Sequence, residues 1–125
     1  MSSGIYVLKP IGKEQIYLGY SDNLKSRFYS HKINFLSGNH SQAVQALFDE
    51  NHSFEWLPLV VEHRKSNKRL SILEKVLISY FFNTTPRMLL NKVNYRYSPS
   101  ILKSAEERQM FMKLVSMILS ITYKK

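Results

Sequence analysis

Two short segments near the start of the chain, Gly4–Lys9 and Glu14–Tyr20, alternate in character and are rich in Ile, Val, Leu and Tyr. Pro10-Ile11-Gly12-Lys13 lies between them, so the pattern predicts a β-hairpin with a four-residue connection. A helix capped by Ser21 or Asp22 is expected to run to about Leu36, where Ser37-Gly38 stops it. A shorter helix follows over about Ser41–Glu50. Phe54–His63 predicts a third strand, in which Pro58 calls for an edge position or a bulge. Asn67 opens a strongly apolar helix to about Phe82, ended by Asn83-Thr84-Thr85-Pro86. Met88–Val93 is a short connector, and Ser98-Pro99 opens a last helix to about Tyr123. The order ββααβαα implies an α+β domain, a small three-stranded and mainly antiparallel sheet flanked by helices.

Some polar side chains run against this pattern. A four-residue loop sets Lys9 opposite Glu14 and, counting outward, Tyr6 opposite Tyr17. Alternation then gives one face to Ile5, Val7, Ile16, Leu18 and Tyr20. The other face carries Tyr6 and Tyr17, with Gly4 and Gly19 leaving space beside them. Two phenols there form either a platform for phosphate or an ordinary aromatic cross-strand pair. On the first helix, at about 100° per residue, Leu24, Phe28 and Phe35 form an apolar stripe, and Arg27 and His31 fall within its arc. A guanidinium can clamp phosphate oxygens and an imidazole can move protons. The bland alternative is a satisfied core histidine beside a snorkelling arginine. On the Asn67–Phe82 helix, Glu74 projects from the face defined by Leu70, Leu73, Leu77, Ile78 and Phe81. Such a carboxylate must be paired, protonated or bound to a cation. Mg²⁺ is often held by one carboxylate and several waters beside phosphate; an ion pair with Arg27 or a lysine is the competing reading.

Composition narrows the choice. The chain of 125 residues suits one domain. Eighteen Lys and Arg against nine Asp and Glu leave a net charge of +9, which suits a polyanionic partner through counterion release. The basic residues are dispersed rather than clustered, so a membrane surface is the weaker match. The absence of cysteine removes disulfides and thiolate metal sites. No apolar run approaches the roughly 20 residues of a membrane span, and Met1-Ser2-Ser3-Gly4 lacks secretory-signal character; an intracellular location is expected. There is no P-loop pattern, no HExxH and no Gly-x-Ser-x-Gly elbow. A carboxylate cluster of the kind a two-metal site wants is also missing.

With these residues in place, the sequence resembles the GIY-YIG nuclease superfamily. Gly4-Ile5-Tyr6 reproduces the first triplet, and Tyr17-Leu18-Gly19 is similar to the second with Leu at its centre. Ser21–His31 looks like the first-helix motif, with Arg27 and His31 at the family's separation. Glu74 matches the metal-binding Glu on a later helix, and Asn91 looks like the Asn that closes the motif set. His40 resembles an additional His of the homing-endonuclease branch, to whose catalytic domains the motif layout is closest, and Lys9 a Lys of the excision-repair branch. The resemblance spans about Gly4–Val93.

The resemblance implies a metal-dependent DNA endonuclease using one Mg²⁺ (Mn²⁺ substituting) and leaving 5′ phosphate and 3′ hydroxyl ends. Glu74 would bind the metal, Tyr6 act as base or water-positioner, and His31 relay the proton. Arg27 would stabilise the transition state, Tyr17 and His40 position phosphate or water, and Asn91 brace the site. Lys9, Arg27 and Lys32 are expected to contact the nucleic acid. Residues 1–97 then form the catalytic domain. Residues 98–125 carry a helix, apolar along both Phe111/Leu114/Val115/Ile118 and Met110/Met117/Ile121, that packs on the domain or forms a homodimer interface. The alternatives are a non-catalytic nucleic-acid-binding module, or a nuclease subunit whose DNA recognition comes from a partner protein. All depend on Tyr6, Tyr17, Arg27, His31 and Glu74 converging from distant parts of the chain.

Overall fold

Alternation in the first strand commits its two faces to different cores, and the tertiary structure follows from that. The computed structural model describes residues 2–38, 42–51, 53–63 and 67–123. Among them are strands β1 (Ser3–Pro10), β2 (Tyr17–Ser21) and β3 (Phe54–Glu62), and helices α1 (Leu24–Ser37), α2 (Gln42–Asn51), α3 (Lys68–Thr84) and α4 (Ala105–Thr122). The sheet order is β2-β1-β3, with both pairings antiparallel. Ile5, Val7, Ile16 and Leu18 face α3 and α4 in one buried cluster. Tyr6 and Leu8 face the other way, toward Leu24 and Phe35 of α1 and Val44 of α2. Helices thus cover both sides of an α+β sheet, in the order read from the sequence.

The hairpin faces are those expected, but the register is not. Tyr6 pairs with Gly19 and Leu8 with Tyr17, a slip of two residues from the expected Tyr6–Tyr17 pair. The connection runs over residues 11–16, longer than the Pro10–Lys13 loop, because β2 begins only at Tyr17 although β1 extends through Pro10. A two-residue slip preserves the side-chain parity, so Tyr6 and Tyr17 still share a face, as diagonal neighbours. Pro58 does lie in an edge strand, and it also adjoins a bulge. The β1–β3 register shifts between Ile5 and Tyr6, leaving Leu59 as the extra residue. This lets the consecutive residues Leu59 and Val60 both pack against the α3/α4 core.

The helix starts differ from expectation in two places. Asn23, rather than Ser21 or Asp22, caps α1, its side chain accepting from the Ser26 amide. Ser21 is engaged with the backbone of Asn23, and Asp22 accepts from the Tyr20 hydroxyl, so neither is free for the cap. Gly38 closes α1 as expected. Pro99 opens only a short 3-10 turn, Pro99–Ile101. The last helix begins at Ala105 behind a capping box, with Ser104 accepting from the Glu107 amide and donating to its carboxylate. Phe111, Leu114 and Ile118 of α4 are buried in the α3-side core, with Met110, Val115 and Met117 half-buried against it. Among the described residues, no helix is long and apolar enough to cross a membrane.

Candidate active site

The outer edge of β2 organises the site. Its outward-facing backbone groups belong to Ile16, Leu18 and Tyr20, and each meets a different partner. Ile16 N–H donates to Met88 O at 2.8 Å, and Ile16 O accepts from Leu90 N–H at 2.7 Å, a parallel bridge. At Leu18 the partner is the side-chain amide of Asn91. Its Oδ1 accepts from Leu18 N–H at 2.9 Å, and its Nδ2 donates to Leu18 O at 2.8 Å. A primary amide carries the donor and acceptor of a peptide group, so Asn91 replaces one rung of a ladder. At Tyr20 the backbone favours the charged form of the Glu74 carboxyl.

Glu74 is delivered there by the start of α3. Asn67 caps the helix through Leu70 N–H, and its own amide donates to the Tyr20 hydroxyl at 2.9 Å. That bond fixes the first turn of α3 against β2. Glu74, two turns on and pointing the same way, returns to the β2 edge. It is buried among Leu70, Leu73, Leu77 and Ile78. Burial pushes its carboxyl up to about 7, although Lys75 and the Tyr20 backbone favour the charged form. The salt bridges of the described residues join Arg69 to Glu62 and to Glu106; Glu74 is in none of them.

Around that carboxyl the tyrosine face assembles. Tyr6 is buried, and its hydroxyl lies 2.8 Å from His31 Nε2. The Tyr6 and Tyr17 rings both meet the His31 imidazole edge to face, at centroid distances of 5.5 and 5.9 Å. Trp56 of β3 stacks on Tyr6 at 4.4 Å and lies 6.1 Å from the imidazole. Gly19 is required beneath it: a Cβ there would collide with Cζ and Oη of the Tyr6 ring. Gly4 is required for another reason, since its Cβ would strike the Val60 carbonyl oxygen beside the bulge. Both triplet glycines are therefore steric necessities of close approach.

The electrostatics tie these groups to Glu74 and Arg27. Burial raises the Tyr6 phenol far above its ordinary value, and the charges of Tyr17 and Glu74 raise it further, against the opposing effect of Arg27. Tyr17 is raised by burial and then by Glu74, again opposed by Arg27. Arg27 thus reaches both phenols, yet it is exposed while His31 is buried. Helix geometry explains the difference from the sequence reading. On a wheel of about 100° per residue, His31 falls about 40° from the centre of the Leu24/Phe28/Phe35 stripe and Arg27 about 80° from it on the same side.

Tyr6, Tyr17, Arg27, His31, Glu74 and Asn91 are linked, by contact or by charge, around the β1–β2 side of the sheet. Lys9 is not among them. It shares parity with Ile5 and Val7, its ammonium donates to Lys13 O at 2.8 Å, and it lines a polar cleft beside Ile121 and Thr122 of α4. Lys32 is exposed on α1 with its ammonium 5.3 Å from the Phe28 ring centroid. His40 lies outside the described residues. Two neighbours escaped the sequence reading. Trp56 was hidden by the ambiguity that Pro58 introduces into the β3 alternation. Tyr95 is raised by burial and then by Glu74, and its ring lies 5.4 Å from the Lys75 ammonium. Its only sequence signal was the aromatic-basic run Asn94-Tyr95-Arg96-Tyr97.

The donor set suits one hard cation bound at a single carboxylate with open water positions. Among the described residues no three His, Cys, Asp or Glu side chains cluster as a closed metal cage would require. Comparison with curated proteins and with solved structures finds no match. The family model of the GIY-YIG catalytic domain matches residues 2–84, which include both triplets, Arg27, His31 and Glu74. With well over half of its length covered by that match, the chain belongs to the GIY-YIG nuclease superfamily.

Proposed function

We propose that this protein is a metal-dependent endonuclease that hydrolyses phosphodiester bonds in DNA and leaves 5′ phosphate and 3′ hydroxyl ends. The observation that carries the reading is the Tyr6–His31 couple, 2.8 Å between Oη and Nε2, set within electrostatic reach of the buried Glu74 carboxyl. A nuclease needs a proton acceptor for the attacking water, a cation for the charge growing on phosphorus, and an anionic anchor for a metal. This edge of the sheet offers all three.

Burial makes a free Tyr6 phenolate costly, so the phenol acts with its partner. Tyr6 Oη accepts a hydrogen bond from the attacking water. As the water loses its proton to Oη, the phenol passes its own to His31 Nε2, and no isolated phenolate forms. This relay requires the neutral tautomer of His31 with Nε2 unprotonated. Arg27, exposed at the rim, faces the negative charge gathering on the phosphoryl oxygens, a contribution of roughly 10²–10³ in rate. Tyr17 donates to a phosphate oxygen, and Asn91 holds β2 in place through Leu18. Glu74 would hold a divalent cation, Mg²⁺ or Mn²⁺, which when bound supplies Lewis-acid neutralisation of the phosphate and the leaving oxygen.

The test is nicking of supercoiled plasmid with Mg²⁺. Glu74→Ala and Arg27→Ala are expected to abolish it while the circular dichroism spectrum stays that of the wild type. Equal cutting by Glu74→Ala would refute the metal assignment.

A further inference from the structure

On the far side of His31 from Tyr17, between α1, α2 and β3, lies a cavity of about 320 Å³. This volume is at the small end of the range for small-molecule sites, about 300–1,000 Å³. Its walls are aromatic: Phe28, Phe35, Phe48, Phe54 and Trp56, with Lys32 at the rim and His31 at the end nearest the site. Phe35, Phe48 and Phe54 form a triangle of rings, 4.7 Å from Phe35 to Phe48, 4.8 Å from Phe35 to Phe54 and 6.2 Å from Phe48 to Phe54, which stiffens one wall. The opposite wall is Trp56, stacked on Tyr6 and 5.3 Å from the Phe28 ring. Phe28, Phe48, Phe54 and Trp56 are only half-buried, so ring surface remains reachable.

An apolar hollow in a chain of net charge +9 could be a packing imperfection, but two features argue for a particular occupant. The imidazole that bonds Tyr6 also lines the cavity. Anything seated there therefore lies one side chain from where the scissile phosphate must sit. At the mouth, Lys32 is positioned beside Phe28, and Arg27 is exposed one position before that ring on the same helix. An occupant with a flat apolar face and attached anionic groups fits this combination, and a nucleotide is that object.

We propose that the cavity receives one nucleobase of the substrate strand, unstacked from its neighbours and adjoining the scissile phosphate, while Arg27 and Lys32 hold the phosphates on either side. The proposal rests on the nuclease reading for its register along the strand. Base–aromatic contacts tolerate any sequence because every base has a π-face, and the lining offers few directional polar groups, so the cavity favours an unpaired base over any one base identity. The substrate preference that follows is for single-stranded, frayed or mismatched positions, where unstacking costs least.

Trp56 is the single tryptophan of the chain, so its emission reports on this wall alone. The full-length protein in EDTA is titrated with an eight-nucleotide single-stranded DNA and with an abasic deoxyribose-phosphate oligomer of equal length. Labelled copies report binding by anisotropy. Both oligomers are expected to bind with affinity that falls as salt rises, and only the base-bearing one to quench Trp56 saturably. Phe28→Leu, a half-exposed helix position that should fold normally, is expected to weaken the base-bearing oligomer roughly tenfold and leave the abasic one unchanged. Equal quenching by both oligomers, binding of the base-bearing one without quenching, or no binding of either overturns the proposal. Plasmid nicking with Mg²⁺ is scored separately: nicking without base-dependent quenching removes the cavity assignment alone, and quenching without nicking removes the nuclease reading alone.

Discussion

Replacing Glu74 by Gln should make the metal-free protein more stable, and the gain should depend on pH. In the fold the Glu74 carboxyl titrates near 7 rather than 4.5, chiefly because it is buried. At about 1.4 kcal/mol per pH unit, ionising it in the folded protein costs about 3 kcal/mol more than in the unfolded chain. Below about pH 4.5 both states carry the proton and nothing is lost. Between 4.5 and 7 the folded state binds more proton than the unfolded one, so stability falls as pH rises, and above 7 the full cost persists. Glutamine keeps the shape and an oxygen for the Tyr20 backbone but never ionises. In EDTA at pH 8, Glu74→Gln is therefore expected to melt higher by roughly 10 °C, taking an unfolding entropy of about 2 cal/mol/K per residue; at pH 5 the difference should shrink to a few degrees. Other groups titrate over this range, but they do so in both proteins and cancel in the comparison. Mg²⁺ supplies the second half of the test. A ligand bound only by the folded state at a hundredfold excess over its Kd adds about 2.7 kcal/mol. It should raise the wild type at pH 8 and leave Glu74→Gln where it was. A melting difference that is the same at pH 5 and pH 8 would refute the burial argument, and an equal response of both proteins to Mg²⁺ would remove Glu74 from the metal site.

Substitutions at two further positions probe the geometry around that carboxyl. Gly19→Ala places a methyl where the Tyr6 ring now lies; nicking should fall at least a hundredfold with the fold retained at a cost of about 1–3 kcal/mol, and near-wild-type nicking would show that Tyr6 need not hold this position. Asn91→Ala removes both bonds to Leu18 and is expected to cost about 1–2 kcal/mol in urea denaturation. Asn91→Asp should cost more, because its second oxygen would face the Leu18 carbonyl; equal stability of the two variants would contradict the amide's role as a mimic of a ladder rung.

The fold was legible wherever period and parity decide it. Alternation put Tyr6 and Tyr17 on one face and Ile5, Val7, Ile16 and Leu18 on the other, and a two-residue slip could not undo that. The register itself was not legible, because Pro10 reads as a loop residue and instead ends β1. The slip has a consequence: it places Tyr6 over Gly19, which explains why the second triplet needs its glycine. Three neighbouring residues, Ser21, Asp22 and Asn23, could each cap α1, and tertiary bonds of the first two left the cap to Asn23. Lys9 shows the reverse case. Its parity with Val7 already set it across the sheet from Tyr6, and only the resemblance drew it toward the site. Trp56 was beyond reach because the bulge at Leu59 reverses the parity of β3 beyond Pro58, and Tyr95 because it lies in an irregular segment with Arg96 at φ 57°.

An exposed sheet edge invites pairing with another strand, and β2 has one. The chain closes it with a backbone bridge at Ile16 and an amide at Leu18, and the Glu74 carboxyl lies within electrostatic reach of the Tyr20 backbone. A fourth strand would have satisfied the same groups more simply, yet it would have covered the route by which a side chain from the α3 layer reaches the tyrosine face. Closing the edge with side chains leaves that route open. Glu74, from one layer, comes within electrostatic reach of Tyr6 and Tyr17, from the other, without a loop having to cross the sheet. The cost of a buried carboxyl is thus tied to position: at this edge one acid is shielded among the side chains of α3 and still acts on the phenols of the opposite face.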